Sequence, residues 1–187
     1  MYVASAGDEP GTEYPCTSPN VVCAGGTTIR RNPVSGAFLS EWSWPLGGGG
    51  ISLYEPIPSY QSSISTIVGK DRGVPDFAMD SDPYTGLWVW SSFQLAFDLY
   101  GEGLPADAGW WIVGGNSAAT PTFAGIVNKA GHFYASSKTE LTTMYGDPTT
   151  DFNDITAGDC GPYMGWAAVT GWDPCTGRGS LKGYTGK

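Results

Sequence analysis

Apolar positions along this chain come in short runs that stop on glycine. MYVASAG at residues 1–7 and NVVCAGGTT at 20–28 each gather buried-type side chains and then break, which predicts two short buried strands. GVPDFAMDSDPYTG, 73–86, predicts a strand end followed by a turn holding Asp76, Asp80 and Asp82. LWVWSSFQLAF (87–97) and WWIVGG (110–115) are further strand candidates. Alternating aromatics bounded by turns predict that these strands are buried. From Ser117 to about Ser136 the spacing of Phe123, Ile126, Val127 and Phe133 predicts a helix with one buried face, with Pro121 near its first turn. Residues 42–63, with the glycine run 47–50, are expected to be loop, the glycines supplying backbone conformations closed to other residues. The tail from 152 to 180 is too rich in Gly and Asp for regular structure, and its length calls for a disulfide or a metal to hold it. Strands alternating with glycine-punctuated crossings and one long helix define an α/β architecture with a mainly parallel sheet. Ligands of such folds lie at the carboxyl ends of the strands.

Composition narrows the class. The 187 residues are 41% apolar and 13% aromatic, enough for one well-filled core, and 28 Gly with 14 Pro predict many turns. Only 14% of residues are charged, and acids outnumber bases 18 to 9, for a net charge of −9. Without a basic patch to neutralise phosphates, nucleic acid is excluded as a partner. No apolar run approaches the roughly 20 residues a membrane span needs. The opening MYVASAGDEPG has neither the basic nor the apolar region of a signal peptide. The four cysteines form two local pairs, Cys16/Cys23 and Cys160/Cys175, without metal spacing. Two short-loop disulfides in an oxidising compartment are expected. Closing 160–175 would be worth on the order of 3 kcal/mol by chain-entropy arithmetic. A secreted-type chain that opens without a signal peptide is expected to be a piece of a precursor.

GGNSAATPTFAGIV, 114–127, raises the chemical question. Asn116 or Ser117 could simply cap the helix that follows. Alternatively, Ser117 is a nucleophile at a strand-to-helix junction, at the positive end of the helix dipole. The sole histidine, His132, lies fifteen residues further along the same helix, roughly 22 Å away, too far to serve as its base. His132 is therefore expected on the surface, and any base for Ser117 must be a carboxylate working at low pH.

Six segments in order resemble the sedolisins, the serine-carboxyl peptidases that include the tripeptidyl-peptidase and kumamolisin types. GGNSAATPTFAGIV is similar to their nucleophile motif, VASAGDEPG to the segment that carries their oxyanion aspartic acid, and SPNVVCAGGTT to the strand that follows it. GGGGISLYEPIPSYQ and RGVPDFAMDSDPYTG match two further segments. FNDITAGD with GWDPCTGRGS resembles their C-terminal calcium loop, here about residues 152–180. The resemblance implies a subtilisin-like fold, α/β with a mainly parallel sheet and flanking helices. This chain would be the C-terminal portion of the catalytic domain, so the fold within it is incomplete. It implies Ser117 as nucleophile and Asp8 as the oxyanion-site acid, which must be protonated to donate to a developing negative charge. It implies Ca2+ held by the Asp154 and Asp173 side chains and the carbonyls of Ile155, Val169 and Gly171, a hard-oxygen set. The glutamate and aspartate that act as base lie, in the family, upstream of the segment matched by Asp8. The chain is therefore not expected to cleave peptides alone, and the N-terminal half of the same precursor is its expected partner. Asn116 stands where the family usually has threonine, and Val169 where it usually has glycine.

The leading expectation is an acid-acting endo- or tripeptidyl-peptidase of peptide or protein substrates, secreted or lysosomal. The alternative is a non-catalytic, calcium-stabilised structural or binding module of an extracellular assembly. A third reading makes Trp88–Trp90 and Trp110–Trp111 a ligand surface rather than core.

Overall fold

The computed structural model describes residues 1–92, 109–161 and 166–187. Its first parallel unit is β1 (Val3–Ser5) beside β2 (Val22–Arg31). The first seven residues of β2 are all buried, the continuous burial of a strand covered on both faces. β3 (Phe38–Ser43) returns antiparallel on the far half of β2. β4 (Gly50–Pro56), a 3-10 turn (Ser59–Ile64) and the short α1 (Ser65–Val68) lead to β5 (Asp71–Val74), which pairs antiparallel with β4. β6 (Phe77–Asp80) then joins β2 in parallel. β7 (Leu87–Ser91) and β8 (Gly109–Val113) form a separate hairpin. The chain continues through α2 (Asn116–Ala130), α3 (Ser137–Gly146), β9 (Phe152–Asn153) and β10 (Ser180–Leu181). The main sheet has the order β1-β2-β6-β10-β9, with β3 on β2. β1, β2, β6 and β10 run parallel, so the mainly parallel sheet read from the sequence is present.

α2 covers this sheet. Ala119, Phe123 and Val127 recur on one face and pack on Val22, Ala24 and Phe77; the Phe77 and Phe123 rings lie 4.4 Å apart. Leu141 and Met144 of α3 extend the same core. Beneath β2, Arg72 and Asp76 form an ion pair at 2.8 Å with both side chains fully buried. Asp76 also accepts from the Cys23 N–H and the Tyr145 hydroxyl. Both expected disulfides are present, Cys16–Cys23 and Cys160–Cys175, which fits an oxidising compartment. Among the described residues no helix is long and apolar enough to cross a membrane.

Four expectations need correction. Residues 42–63 are not all loop: β4 and the 3-10 turn lie within them, because Ile51 packs on the small cluster of Ile64, Val68 and Trp172 and β5 offers a pairing edge. The helix stops at Gly131 in the left-handed conformation rather than running to Ser136, so Phe133 is 63% exposed and lies outside it. Ser136 instead caps α3, accepting from the Thr139 N–H. Pro121 is the sixth residue of α2, not in its first turn, so the Ser117 carbonyl loses its usual helical donor. The tryptophan strands are not buried: Trp88, Trp90 and Trp110 are 65%, 56% and 62% exposed on one face of the β7–β8 hairpin. That hairpin pairs with no third strand among the described residues. The 93–97 part of the strand expected over 87–97 lies outside the described residues.

Candidate active site

β1 ends at Ser5, and the chain turns through Gly7 to place Asp8 beyond the carboxyl end of the parallel strands. From the other side, β8 ends at Val113 and Gly114–Gly115 turn the chain into α2. Gly115 has φ of 81°, its N–H donates to the Ser81 carbonyl, and a Cβ there would meet Asp8 Oδ2 at 2.5 Å. Only glycine satisfies both conditions.

The cap of α2 differs from either sequence expectation. Gly115 is the N-cap residue and offers no side-chain bond, and neither Asn116 nor Ser117 caps the helix. The first-turn N–H of Asn116 donates instead to Oδ1 of Asp8 at 2.7 Å, a carboxylate 108 residues earlier in the chain. Ser117 is the next residue and is exposed, as is Asp8. Two sequence-predicted site residues thus meet at one helix N-terminus. His132 is exposed, as expected, but it lies just beyond the far end of α2 and not on that helix. Among the described residues no hydrogen bond joins the Ser117 hydroxyl to His132 or to a carboxylate.

Asn116 is the residue whose part the sequence left unread. It is fully buried, and its Nδ2 donates to the Gly7 carbonyl at 2.7 Å. Its Oδ1 occupies the space a Cβ on residue 26 would need, which explains the glycine there. The signal in the sequence was the pairing of this departure from threonine with the Gly25–Gly26 step opposite.

Two acids lie outside this pair, half-buried Asp80 next to the site and buried Glu140 on α3. Ser81, whose carbonyl holds Gly115, follows Asp80 at the end of β6. Burial pushes the Asp80 carboxyl up to about 6; the Asp82 and Glu41 carboxylates push the same way, and the Thr85 hydroxyl opposes them. Burial also raises the pKa of Glu140, whose two oxygens have no partner. A carboxyl raised on folding binds its proton more tightly in the native state. Its stabilisation is full below about pH 4 and is lost as pH rises through about 6. Discounted for Asp80's partial exposure, this favours acid by about 1 kcal/mol. The urea midpoint of the wild-type protein should be higher at pH 4 than at pH 7. Asp80→Asn should shrink that difference, and an unchanged difference would remove Asp80 as its source.

In the tail, Asp154 and Asp173 both accept N–H groups of the loop 169–173, Asp173 from within the loop itself. Both oxygens of Asp154 face the Gly171 N–H, at 3.2 and 3.0 Å. Asp173 is fully buried. It accepts from the Cys175 and Thr176 N–H groups at 2.9 and 2.8 Å, the Thr176 hydroxyl at 3.0 Å and the Val169 N–H at 3.2 Å. Burial raises its pKa to about 6 against those amides. Ile155 is buried, whereas Val169 and Gly171 are exposed. Two carboxylates and the carbonyls of one tight loop are the hard oxygen donors that suit Ca2+. Asp154 has lone pairs to spare. Asp173 has all four acceptor positions filled, so coordination there would replace its longest bond, that to Val169. The donor types suit the ion, on condition of that exchange. Among the described residues no three His, Cys, Asp or Glu side chains cluster as a metal site, so carbonyls would complete the shell.

No family model matches the chain. It is 32% identical to kumamolisin of Bacillus sp. (strain MN-32), over 95% of this chain and 34% of that protein. It is 30% identical to sedolisin of Pseudomonas sp. (strain 101), over 94% and 30%. It is 27% identical to human tripeptidyl-peptidase 1, over 89% and 31%. Among solved structures, Pseudomonas sedolisin, a serine-carboxyl proteinase complexed with two molecules of pseudo-iodotyrostatin, superposes with a TM-score of 0.68. The identity there is 28%, over 96% of this chain and 48% of that one. Sphericase, at 18% identity and a TM-score of 0.55, shares the fold alone. The fold is that of the subtilisin-like peptidases, a mainly parallel sheet with flanking helices. Within that class the chain is similar in sequence and structure to the sedolisins, and it spans about a third of the length of the curated relatives it matches.

Proposed function

We propose that this chain is the C-terminal portion of an acid-acting serine-carboxyl peptidase, endo- or tripeptidyl-type, supplying the nucleophile and the oxyanion donor. The observation that carries the reading is the Asn116 N–H to Asp8 bond, which brings Asp8 to the helix end that presents Ser117. Ser117 Oγ attacks the scissile carbonyl carbon and passes its proton to a carboxylate base on a segment outside this chain. The C=O electron pair moves to oxygen, where protonated Asp8 donates a hydrogen bond to the oxyanion. Collapse expels the amine, which takes the proton back from the same acid, and water then hydrolyses the acyl-enzyme. Its substrates are peptides or proteins, its setting is secreted or lysosomal, and the N-terminal half of the same precursor completes it. The test is a peptide aldehyde at about pH 4 on the longest natural form of the protein. A hemiacetal adduct mapped to Ser117 and lost in Ser117→Ala supports the reading; no adduct overturns it.

A second reading is a non-catalytic calcium-stabilised structural or binding module, in which Ser117 serves only as a residue of the first helical turn. A folded natural form that binds no aldehyde would be that module.

We propose that Ca2+ binds Asp154 and Asp173 with the carbonyls of Ile155, Val169 and Gly171, tying the tail to the sheet. Mass action predicts a gain of about 2.7 kcal/mol at a hundredfold excess over Kd. Millimolar Ca2+ should raise the melting temperature, EGTA should lower it, and Asp154→Ala should abolish the difference. Equal melting with and without the ion would remove the site.

A further inference from the structure

Asn116 sits where the first turn of α2 meets the sheet, among Ala118, Ala119 and the Gly25–Gly26 step, a place suited to a small apolar residue. A buried amide is costly there unless its hydrogen bonds return something. It makes one side-chain bond, Nδ2 to the Gly7 carbonyl at 2.7 Å, and leaves Oδ1 without a partner. The donor end is thus the working end. The backbone N–H of the same residue takes Asp8 Oδ1 at 2.7 Å. One residue therefore grips two successive positions, the carbonyl of Gly7 and the carboxyl of Asp8, and two-point attachment fixes orientation as well as distance.

The consequence lies in which Asp8 oxygen is left over. Oδ1 is committed as an acceptor. Oδ2 lies over Gly115, two residues before Ser117. A proton on Asp8 belongs on the oxygen that is not receiving one, so Oδ2 is the oxygen able to donate. The Gly7 carbonyl also accepts from the Gly48 N–H at 2.9 Å, so the amide is one of two donors that hold the turn; with the amide gone, the turn is freer to rotate and exchange the two oxygens.

We propose that the Asn116 side-chain amide is a positioning residue for Asp8: by holding the Gly7 carbonyl it keeps Oδ1 on the helix N–H and presents Oδ2 as the donor toward Ser117. The inference rests on the Ser117 and Asp8 reading for its catalytic part only. The amide grip itself is independent of any activity.

The experiment uses the longest natural form of the protein with Asn116→Ala and Asn116→Asp. Three quantities are measured from pH 3 to 6: hydrogen exchange of the segment containing Gly7 and Asp8, and kcat and KM on a peptide substrate. Asn116→Ala should speed exchange at that segment about tenfold while a core segment of α2 stays protected, and should lower kcat about tenfold with KM within twofold. Asn116→Asp is near-isosteric. Its carboxylic O–H can replace the lost donor when protonated, and its carboxylate repels the Gly7 carbonyl when ionised. Its exchange and kcat, relative to wild type, should recover as pH falls, which a merely structural role would not produce. Unchanged exchange in both variants overturns the grip. Altered exchange with unchanged kcat overturns the positioning role. A wild type without peptidase activity that still shows the exchange pattern overturns the catalytic reading and upholds the grip.

Discussion

Replacing Arg72 with alanine is expected to cost about 3–5 kcal/mol of folding stability, the penalty for leaving a buried carboxylate without its cation. The pair lies at 2.8 Å with no exposure on either side. The guanidinium reaches both Asp76 oxygens, 3.0 Å to Oδ1 and 2.8 Å to Oδ2, in the fork geometry a lysine cannot reproduce. It also donates to the Gly73 carbonyl at 2.9 Å. Asp76 in turn takes the Cys23 N–H at 2.8 Å and the Tyr145 hydroxyl at 3.0 Å. The pair therefore pins β2 and α3 to β5, and an apolar swap of both partners would orphan those two donors. The check is the urea midpoint of Arg72→Ala and Arg72→Lys, with lysine falling between alanine and wild type. A loss below about 1 kcal/mol for alanine would mean that water or a rearranged donor reaches Asp76.

Gly48→Ala is expected to cost about 3 kcal/mol, the upper part of the range for overpacking a tight site. Its Cβ would fall inside van der Waals contact with the Ala6 carbonyl oxygen, 2.7 Å from the Ala6 carbonyl carbon and 3.1 Å from the Glu9 oxygen. Those are backbone atoms, and no rotamer change relieves them. The Gly48 N–H also donates to the Gly7 carbonyl at 2.9 Å, so the crowding falls on the segment that carries Asp8. Gly36→Ala is the matched control. It has φ of 69° and nothing within 4 Å of an added Cβ, so only the left-handed backbone is taxed, by roughly 1 kcal/mol. Thermal unfolding of the two variants separates the causes. Equal losses would mean that the 47–50 loop gives way and the close approach does not matter.

That contrast marks where sequence reading runs out. The run Gly47–Gly50 was legible as special, but only Gly50 has a positive φ; Gly48 and Gly49 are needed because the Ala6 and Pro174 carbonyls come close, a tertiary fact. The strands at Val3 and Val22 and the helix after Gly115 could be read because glycine punctuation and apolar spacing are local. α3 could not: its Ser-Lys-Thr-Glu-Leu-Thr-Thr sequence carries a weak apolar stripe, and the preceding helix seemed to run on into its cap. The tryptophans of β7 and β8 misled for the opposite reason, because propensity gives the strand and says nothing about whether a neighbour covers it. At the candidate site, Ser117 and Asp8 were legible as a pair through resemblance. The bond between Asp8 and the Asn116 N–H was not, since a cap supplied from 108 residues away leaves no local pattern.

That remote cap also bears on biosynthesis. While a ribosome is making the residues between Asp8 and α2, Asp8 exists but the helix that receives it does not. The two halves of the site cannot meet until α2 has been made and docked on β1 and β2. Products that stop short of α2 therefore carry Asp8 without the helix N-terminus that receives it.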